Sequence, residues 1–215
     1  MKNLLHKEFK LSVHPTCYLF LLLSAMLLIP NYPYYVAFFY QTLGIFFIFV
    51  NGNINNDIAF TTLFPIRKRE AVKARFFTVI ILELLQIIVS IPFAILRNTL
   101  IPGKNLAGMD ANLAFFGLVF IMFGVFNAVF LPMFYQTAYK TGAPYLVACA
   151  AMTVFVVIAE AAINLIPNWK SALDIPKITF SAQQMITLVA GVILSVALTV
   201  FAYTKSAAQF ERLDL

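Results

Sequence analysis

Residues 51–76 read NGNINNDIAFTTLFPIRKREAVKARF, the one long polar and basic interruption in an otherwise apolar chain. Asn51, Asn53, Asn55, Asn56 and Asp57 are turn formers and lead into a short apolar piece at 58–64. Pro65 follows, then the cluster Arg67, Lys68, Arg69, Glu70, Lys73 and Arg75. A segment of this kind between two long apolar runs reads as an elbow outside a membrane, joining two spanning helices. Its apolar knob, Ile58, Phe60, Leu63 and Phe64, offers a grip for something soluble.

Composition supports that setting. Of 215 residues, 62% are hydrophobic and 11% charged, with a mean hydropathy of +0.89. A soluble domain carries about 25% charged residues, so this chain lacks the polar surface to stay in water and reads as a polytopic membrane protein. The net charge of +6 sits mostly in short loops, where it reports topology. A nucleic-acid face needs a contiguous basic patch, and no nucleic-acid partner is expected.

The chain divides into one transmembrane domain, 1–215. A spanning helix needs about 20 apolar residues to cross about 30 Å of hydrocarbon, and six stretches qualify or nearly do: 16–30, which is short unless Pro15 and Pro30 lie within the interface, 34–54, 72–97, 113–136, 144–166 and 184–204. The expected class is therefore all-α with six transmembrane helices. No small-residue cleavage site closes the first apolar run before Pro30, so that run is expected to remain as a span. Residues 1–14 are expected to lie along the surface. On a helical wheel, Met1, Leu4, Leu5, Phe9 and Leu11 share one side, while Asn3, His6, Lys7 and Lys10 share the other. Glu8 breaks the pattern by falling between Leu4 and Leu5. It either reaches out of a shallow interface or pairs with a cation, for which the 67–75 cluster is the nearest candidate.

With six spans, both termini and the loops after spans 2 and 4 share a side. That side carries 11 Lys and Arg, against four on the other (Arg97, Lys104, Lys170 and Lys177). The positive-inside rule places both termini and the elbow in the cytoplasm, as expected of a multi-pass plasma-membrane protein.

Catalytic signatures are missing. The only Gly-Lys pair, Gly103-Lys104, is followed by Asn105-Leu106, so there is no phosphate-binding GxxxxGK[ST] loop. HExxH and GxSxG do not occur, and the only histidines are His6 and His14. Cys17 and Cys149 each lie in an expected span with no Cys/His cluster nearby, which leaves no metal or disulfide framework. The chain is expected not to be an enzyme, to bind no cofactor or metal directly, and to draw any energy from another polypeptide.

Polar residues within the hydrocarbon are costly unless satisfied. Span 3 carries Glu83, Gln86 and Ser90 on one face, with Arg97 further along; span 4 carries Phe116, Phe120, Phe123, Phe130 and Phe134 in a stripe that includes Asn127. Glu83, Gln86, Phe123 and Asn127 either line a route for an amphipathic substrate or hold helices together. Glu160, with Asn164 one turn later, either reaches for headgroups or relays protons.

Residues 64–76, FPIRKREAVKARF, resemble the LPxxRxxIVxAKY stretch of small ABC-2-type exporter permeases, the group that includes exporters of phenol-soluble modulins and bacteriocin-like peptides. Pro65, Val72 and Ala74 match as they stand; Phe64, Lys68, Arg75 and Phe76 are like-for-like replacements, and Ala71 departs from the usual Ile. Lys7-Glu8-Phe9 in an amphipathic leader, the chain length and the six-span plan resemble the same group. The resemblance implies an elbow helix at 2–12 on the inner leaflet, with Lys7, Glu8 and Lys10 at the membrane surface. It implies a coupling helix within 55–66 that docks on a separate ATPase subunit through Asp57, Ile58, Phe60, Thr61, Leu63 and Phe64. Arg67, Lys68, Arg69, Lys73 and Arg75 would meet headgroups where span 3 begins, and the link through Trp169 would form an external lid. Two ATPase copies holding ATP and magnesium would drive two permease subunits, alike or different, to export a peptide or antibiotic-like amphiphile.

Two other classes stay open on the residues alone. One is a stand-alone proton-coupled carrier or channel using Glu83 or Glu160, and the other a structural or immunity membrane protein. A carrier has no need of an apolar knob on a cytoplasmic elbow, and many carriers show internal symmetry, which spans 1–3 and 4–6 lack.

Overall fold

A computed structural model of the chain describes residues 2–63, 66–100, 103–174 and 181–213. These residues form helices and connecting turns, without a strand among them. The leader is α1, Lys2–Lys7, continued by one wider π-helical turn over Glu8–Ser12. Then come α2, Pro15–Leu22, running on as a 3₁₀ segment Leu23–Leu28, and α3, Tyr35–Ile54. The short α4, Asp57–Thr62, precedes α5, Lys68–Leu100, and α6, Leu113–Thr137. The chain closes with α7, Gly142–Leu165, α8, Pro167–Leu173, and α9, Ala182–Glu211.

Five of these, α3, α5, α6, α7 and α9, are long and apolar enough to cross a membrane. The pieces Leu4–Ser12 and Pro15–Leu28, bent by 79°, make a sixth if taken as one span. The expectation of six independent spans is thus refined to five or six, for a geometric reason. Eight α-helical and six 3₁₀ residues from Pro15 to Leu28 extend only about 24 Å at about 1.5 and 2.0 Å per residue. That is short of about 30 Å of hydrocarbon. The bend has a local cause: the extended His14 precedes Pro15, and a residue before proline avoids the helical region.

Local signals set the other ends. Asn56, left-handed at φ 50°, turns the chain from α3 into α4, a conformation Asn tolerates better than most residues. Asn112 and Ser181 cap α6 and α9 by accepting from the backbone N–H of Phe115 and Gln184.

Between helices in lipid there is little hydrophobic drive, so association rests on close packing and hydrogen bonds. The central helix is α6, with 61% of its most apolar stretch buried, against 11% in α9. On one side α6 meets α3 through interlocked rings. Phe49 stands edge-on to Phe130 and Phe134 at 4.9 and 4.7 Å between centroids, and Phe38 does the same to Phe115 and Phe123. Each such pair contributes about 0.5–1.5 kcal/mol beyond area burial. Most of the phenylalanine stripe therefore packs against α3. On its other side α6 meets α9 through glycines. A Cβ at Gly191 would lie 2.1 Å from the Gly117 carbonyl oxygen, one at Gly117 would lie 2.6 Å from the Thr187 carbonyl oxygen, and one at Gly124 would lie 2.9 Å from Ser195 Cα. Only bare backbone permits that approach.

At the far end from α4, residues 103–112 form a stapled loop. Asn105 Nδ2 donates to the Tyr32 carbonyl at 2.9 Å, Asn112 Nδ2 to the Leu173 carbonyl at 2.6 Å, and the Asp110 amide to Asp174 Oδ1 at 3.1 Å. Burial and the neighbouring Asp174 carboxylate both push the Asp110 carboxyl above the usual range. Glu160 joins this staple, accepting from the Met109 amide at 3.0 Å beneath Gly108.

Replacing Gly191 by Leu is expected to lower stability by about 1–3 kcal/mol or more through overpacking, read as a lower thermal unfolding midpoint in detergent. Gly142→Ala, whose Cβ meets nothing within 4 Å, is the matched control and is expected to leave the midpoint in place.

Candidate functional site

The elbow is built around one buried guanidinium. Arg75, near the start of α5, is 7% exposed, and a buried cation is tolerable only when paired and hydrogen-bonded. Its partners come from two other elements. Nε lies 2.6 Å from Glu8 Oε2 in the π-helical turn, and Nη2 donates to Asp57 Oδ2 of α4. Nη2 also lies 3.4 Å from Glu8 Oε1 and from Ser12 Oγ. Lys7 completes the group, pairing with Asp57 Oδ1 and donating to Thr61 Oγ1. Two cations, Lys7 and Arg75, meet two carboxylates, Glu8 and Asp57, so the quartet is neutral. The Phe49 ring lies 5.4 Å beneath the guanidinium carbon, within cation–π range.

Spacing explains the local arrangement. Glu8 and Ser12 sit together on the inner side of the leader and both are buried, while His6, Lys10 and Leu11 are exposed. The turn over Glu8–Ser12 is π-helical, and Leu11, at the edge of the apolar arc on a uniform wheel, is 64% exposed. In α4, Asp57 and Thr61 are one turn apart and share a face. The Thr61 hydroxyl donates to the Asp57 carbonyl at 2.6 Å. Six isolated residues do not sustain a helix, so the contacts of Asp57 with Lys7 and Arg75 hold α4 in place.

The six residues expected against an ATPase therefore separate. Asp57 and Thr61 turn inward, and Ile58 packs against the core. Phe60 and Leu63 face outward at 52% and 82% exposure. Phe64 lies outside the described residues. The basic cluster separates too. Arg67, Arg69 and Lys73 are exposed, Arg69 pairing with Glu211 at 2.6 Å. Lys68 donates to the Leu213 carbonyl and lies 5.9 Å from the Phe210 ring centre. A cavity of about 150 Å³ lies between α4, α5 and the chain end, lined by Asp57, Ile58, Thr61, Arg75, Tyr135 and Phe210 among others. Of these contributors, Ser12, Phe49 and Tyr135 escape sequence reasoning, because nothing in their local pattern marks them. Glu8 is marked by its place on the apolar arc.

Deeper in α5, Glu83, Phe123 and Asn127 are brought together, with Asn127 Nδ2 donating to Glu83 Oε2 at 3.0 Å and to Thr199 Oγ1 at 3.4 Å. Gln86 is turned away, donating to Ser24 Oγ at 3.0 Å and to the Ala37 carbonyl. Arg97 lies toward the far end of α5 from α4, where its Nε donates to the Tyr34 hydroxyl at 2.9 Å. Among the described residues no group of three His, Cys, Asp or Glu is arranged to hold a metal.

Burial alone would raise the Asp57 carboxyl, but Arg75 and Lys7 outweigh it and hold the group below the usual aspartate range. Its folded pKa is thus depressed. The stability it contributes is present above the ordinary aspartate value, about 3.9, and is lost as pH falls through the lower folded value. The unfolding midpoint of Asp57→Asn is accordingly expected to depend less on pH than wild type on acidification from about pH 7 to about pH 3. Arg75→Ala, which takes from Glu8 its 2.6 Å partner and leaves Asp57 with Lys7 alone, is expected to cost about 3–5 kcal/mol; a loss under about 1 kcal/mol, the scale of a surface pair, would contradict the buried cluster.

Comparison with curated proteins and with solved structures finds no match. A family profile described as "ABC-2 family transporter protein" matches residues 3–211. That span takes in the leader, the α4 elbow and all five long helices. The chain belongs to the ABC-2 family of transporter proteins.

Proposed function

We propose that the chain is the membrane subunit of an ATP-driven exporter, docking through α4 on a separate cytoplasmic ABC ATPase. The observation that carries this reading is the two-sidedness of α4. Its polar face, Asp57 and Thr61, is locked to α5 and the leader, while Phe60 and Leu63 stand out. An exposed apolar patch rimmed by polar residues marks an interaction site. A helix fixed from behind passes a push on its outer face to whatever holds it. Here that is the leader and the first turns of α5.

In this cycle two ATPase copies bind ATP with magnesium and close together. Each presses on one α4, and two permease subunits rearrange around a central route. The chain supplies no catalytic residue and binds no nucleotide. Both termini and α4 face the cytoplasm of a plasma membrane, as the 11-to-four partition of Lys and Arg supports. The leader lies on the inner leaflet, where exposed Lys10, Arg67 and Lys73 meet phosphate headgroups. The substrate is amphipathic or hydrophobic, in the class of peptides and antibiotic-like molecules.

Phe60→Asp combined with Leu63→Asp is expected to lower co-purification of the ATPase at least tenfold, about 1.4 kcal/mol or more, without shifting the unfolding midpoint of the permease. Full retention of the ATPase would remove α4 as the docking element. In proteoliposomes holding both proteins, transport is expected to require ATP. Transport driven by a pH gradient alone would favour the carrier reading.

A further inference from the structure

Between α5, α6 and α9 lies a crevice of about 230 Å³ whose walls are almost wholly apolar, with Ile87, Phe120, Phe123 and Val196 among them. Its rim is formed by outward residues of α5 and α9: Leu84 is 41% exposed, Val196 58% and Val200 55%. In a membrane protein this mouth opens sideways onto hydrocarbon rather than onto water. One wall group differs in kind. Glu83 lines the crevice, is 6% exposed, and has Oε2 held by Asn127 while Oε1 has no hydrogen-bond partner among the described residues.

An ionised carboxyl in hydrocarbon calls for a cation, and the described residues bring none to it. No Lys, Arg or His lines the crevice. Along α5, Lys73 and Arg75 are ten and eight residues away, about 15 and 12 Å at the helical rise, and Arg75 is already committed to Glu8 and Asp57. Arg97 is about 21 Å away in the other direction and engages Tyr34. The remaining polar neighbours, Thr199 and Ser195, are neutral.

The geometry points to a binding site for a lipophilic amine entering from the bilayer, its ammonium paired with Glu83 and its apolar body against Phe120 and Phe123. Charge complementarity selects this occupant. A neutral acyl chain fills the walls but leaves Oε1 unsatisfied, whereas an ammonium supplies the missing donor. Together the two charges are net neutral, which lowers the cost of burying either. Two aromatic rings in the same wall favour a cation over a neutral group. The site deepens the amphiphile-export reading by naming the substrate class, but its occupancy depends on neither ATP nor an ATPase.

The test uses the full chain in nanodiscs of zwitterionic lipid, without nucleotide or ATPase. The probes are a dansyl-labelled alkylamine with a free primary amine and its N-acetylated, uncharged analogue, followed by fluorescence anisotropy. Wild type is expected to bind the amine about tenfold or more tightly than the analogue, and Glu83→Gln, which keeps the side-chain volume, to bring that ratio to about one. A ratio near one in wild type, or one unchanged by Glu83→Gln, would overturn the site. Val196→Trp, on the exposed rim and leaving Glu83 intact, is expected to weaken both probes at least fivefold; unaltered binding would place the amine elsewhere. Loss of amine preference with the ATPase still bound and driving transport would sink the site and leave the exporter reading. Retained preference in a chain that engages no ATPase would do the reverse.

Discussion

A guanidinium withdrawn from water must be matched charge for charge, and at Arg75 that requirement organises one end of the molecule. Glu8 and Asp57 arrive from elements 67 and 18 residues away in sequence, and Lys7 balances the second carboxylate. Such a cluster contributes little net stability compared with a well-packed apolar equivalent, yet removing one member is costly. Its value is therefore positional. It sets the leader, α4 and the start of α5 in one arrangement, and it leaves Phe60 and Leu63 exposed on the opposite face of α4.

The membrane-spanning part obeys a different constraint. Apolar side chains gain little by leaving lipid for protein, so the contacts that hold α6 in the centre are those that lipid cannot imitate. Rings interlocked with α3 provide one set, and glycine backbone laid against α9 provides the other. Helices α7 and α9 expose mostly apolar side chains, with Leu146 70% and Ile193 62% exposed, as a surface facing acyl chains should. Against that background the polar trio Glu83, Asn127 and Thr199 stands out, because each of its members faces another or the crevice beside it.

The helical class and the position of the elbow were legible in sequence because hydropathy sums over some twenty residues and is insensitive to detail. The misfit of Glu8 on an apolar arc was legible for the same kind of reason, as a single charge against a periodic pattern. What remained hidden depended on register and on long-range approach. A uniform wheel sets Ser12 beside Glu8, but it anticipates neither the π-helical turn there nor the guanidinium that both residues meet. Nothing local distinguishes Arg75 from its neighbours Arg67, Arg69 and Lys73, although it alone of the four is buried. Glu83 and Gln86 sit three residues apart and read as one face, but the structure gives them to different neighbours: Asn127 and the crevice for the first, Ser24 and Ala37 for the second.

The central claim is that the Arg75 cluster fixes α4 relative to α5. It is tested most directly by the distance between those helices, with spin labels at Leu63→Cys and Lys73→Cys in full-length protein in lipid nanodiscs. The native Cys17 and Cys149 are replaced by Ser in the same chain. A single narrow distance distribution is predicted in otherwise native protein, broadening or splitting when Arg75 is replaced by Gln. An equally narrow distribution at the same distance in Arg75→Gln would contradict the account, since α4 would then be held by something other than the buried charges.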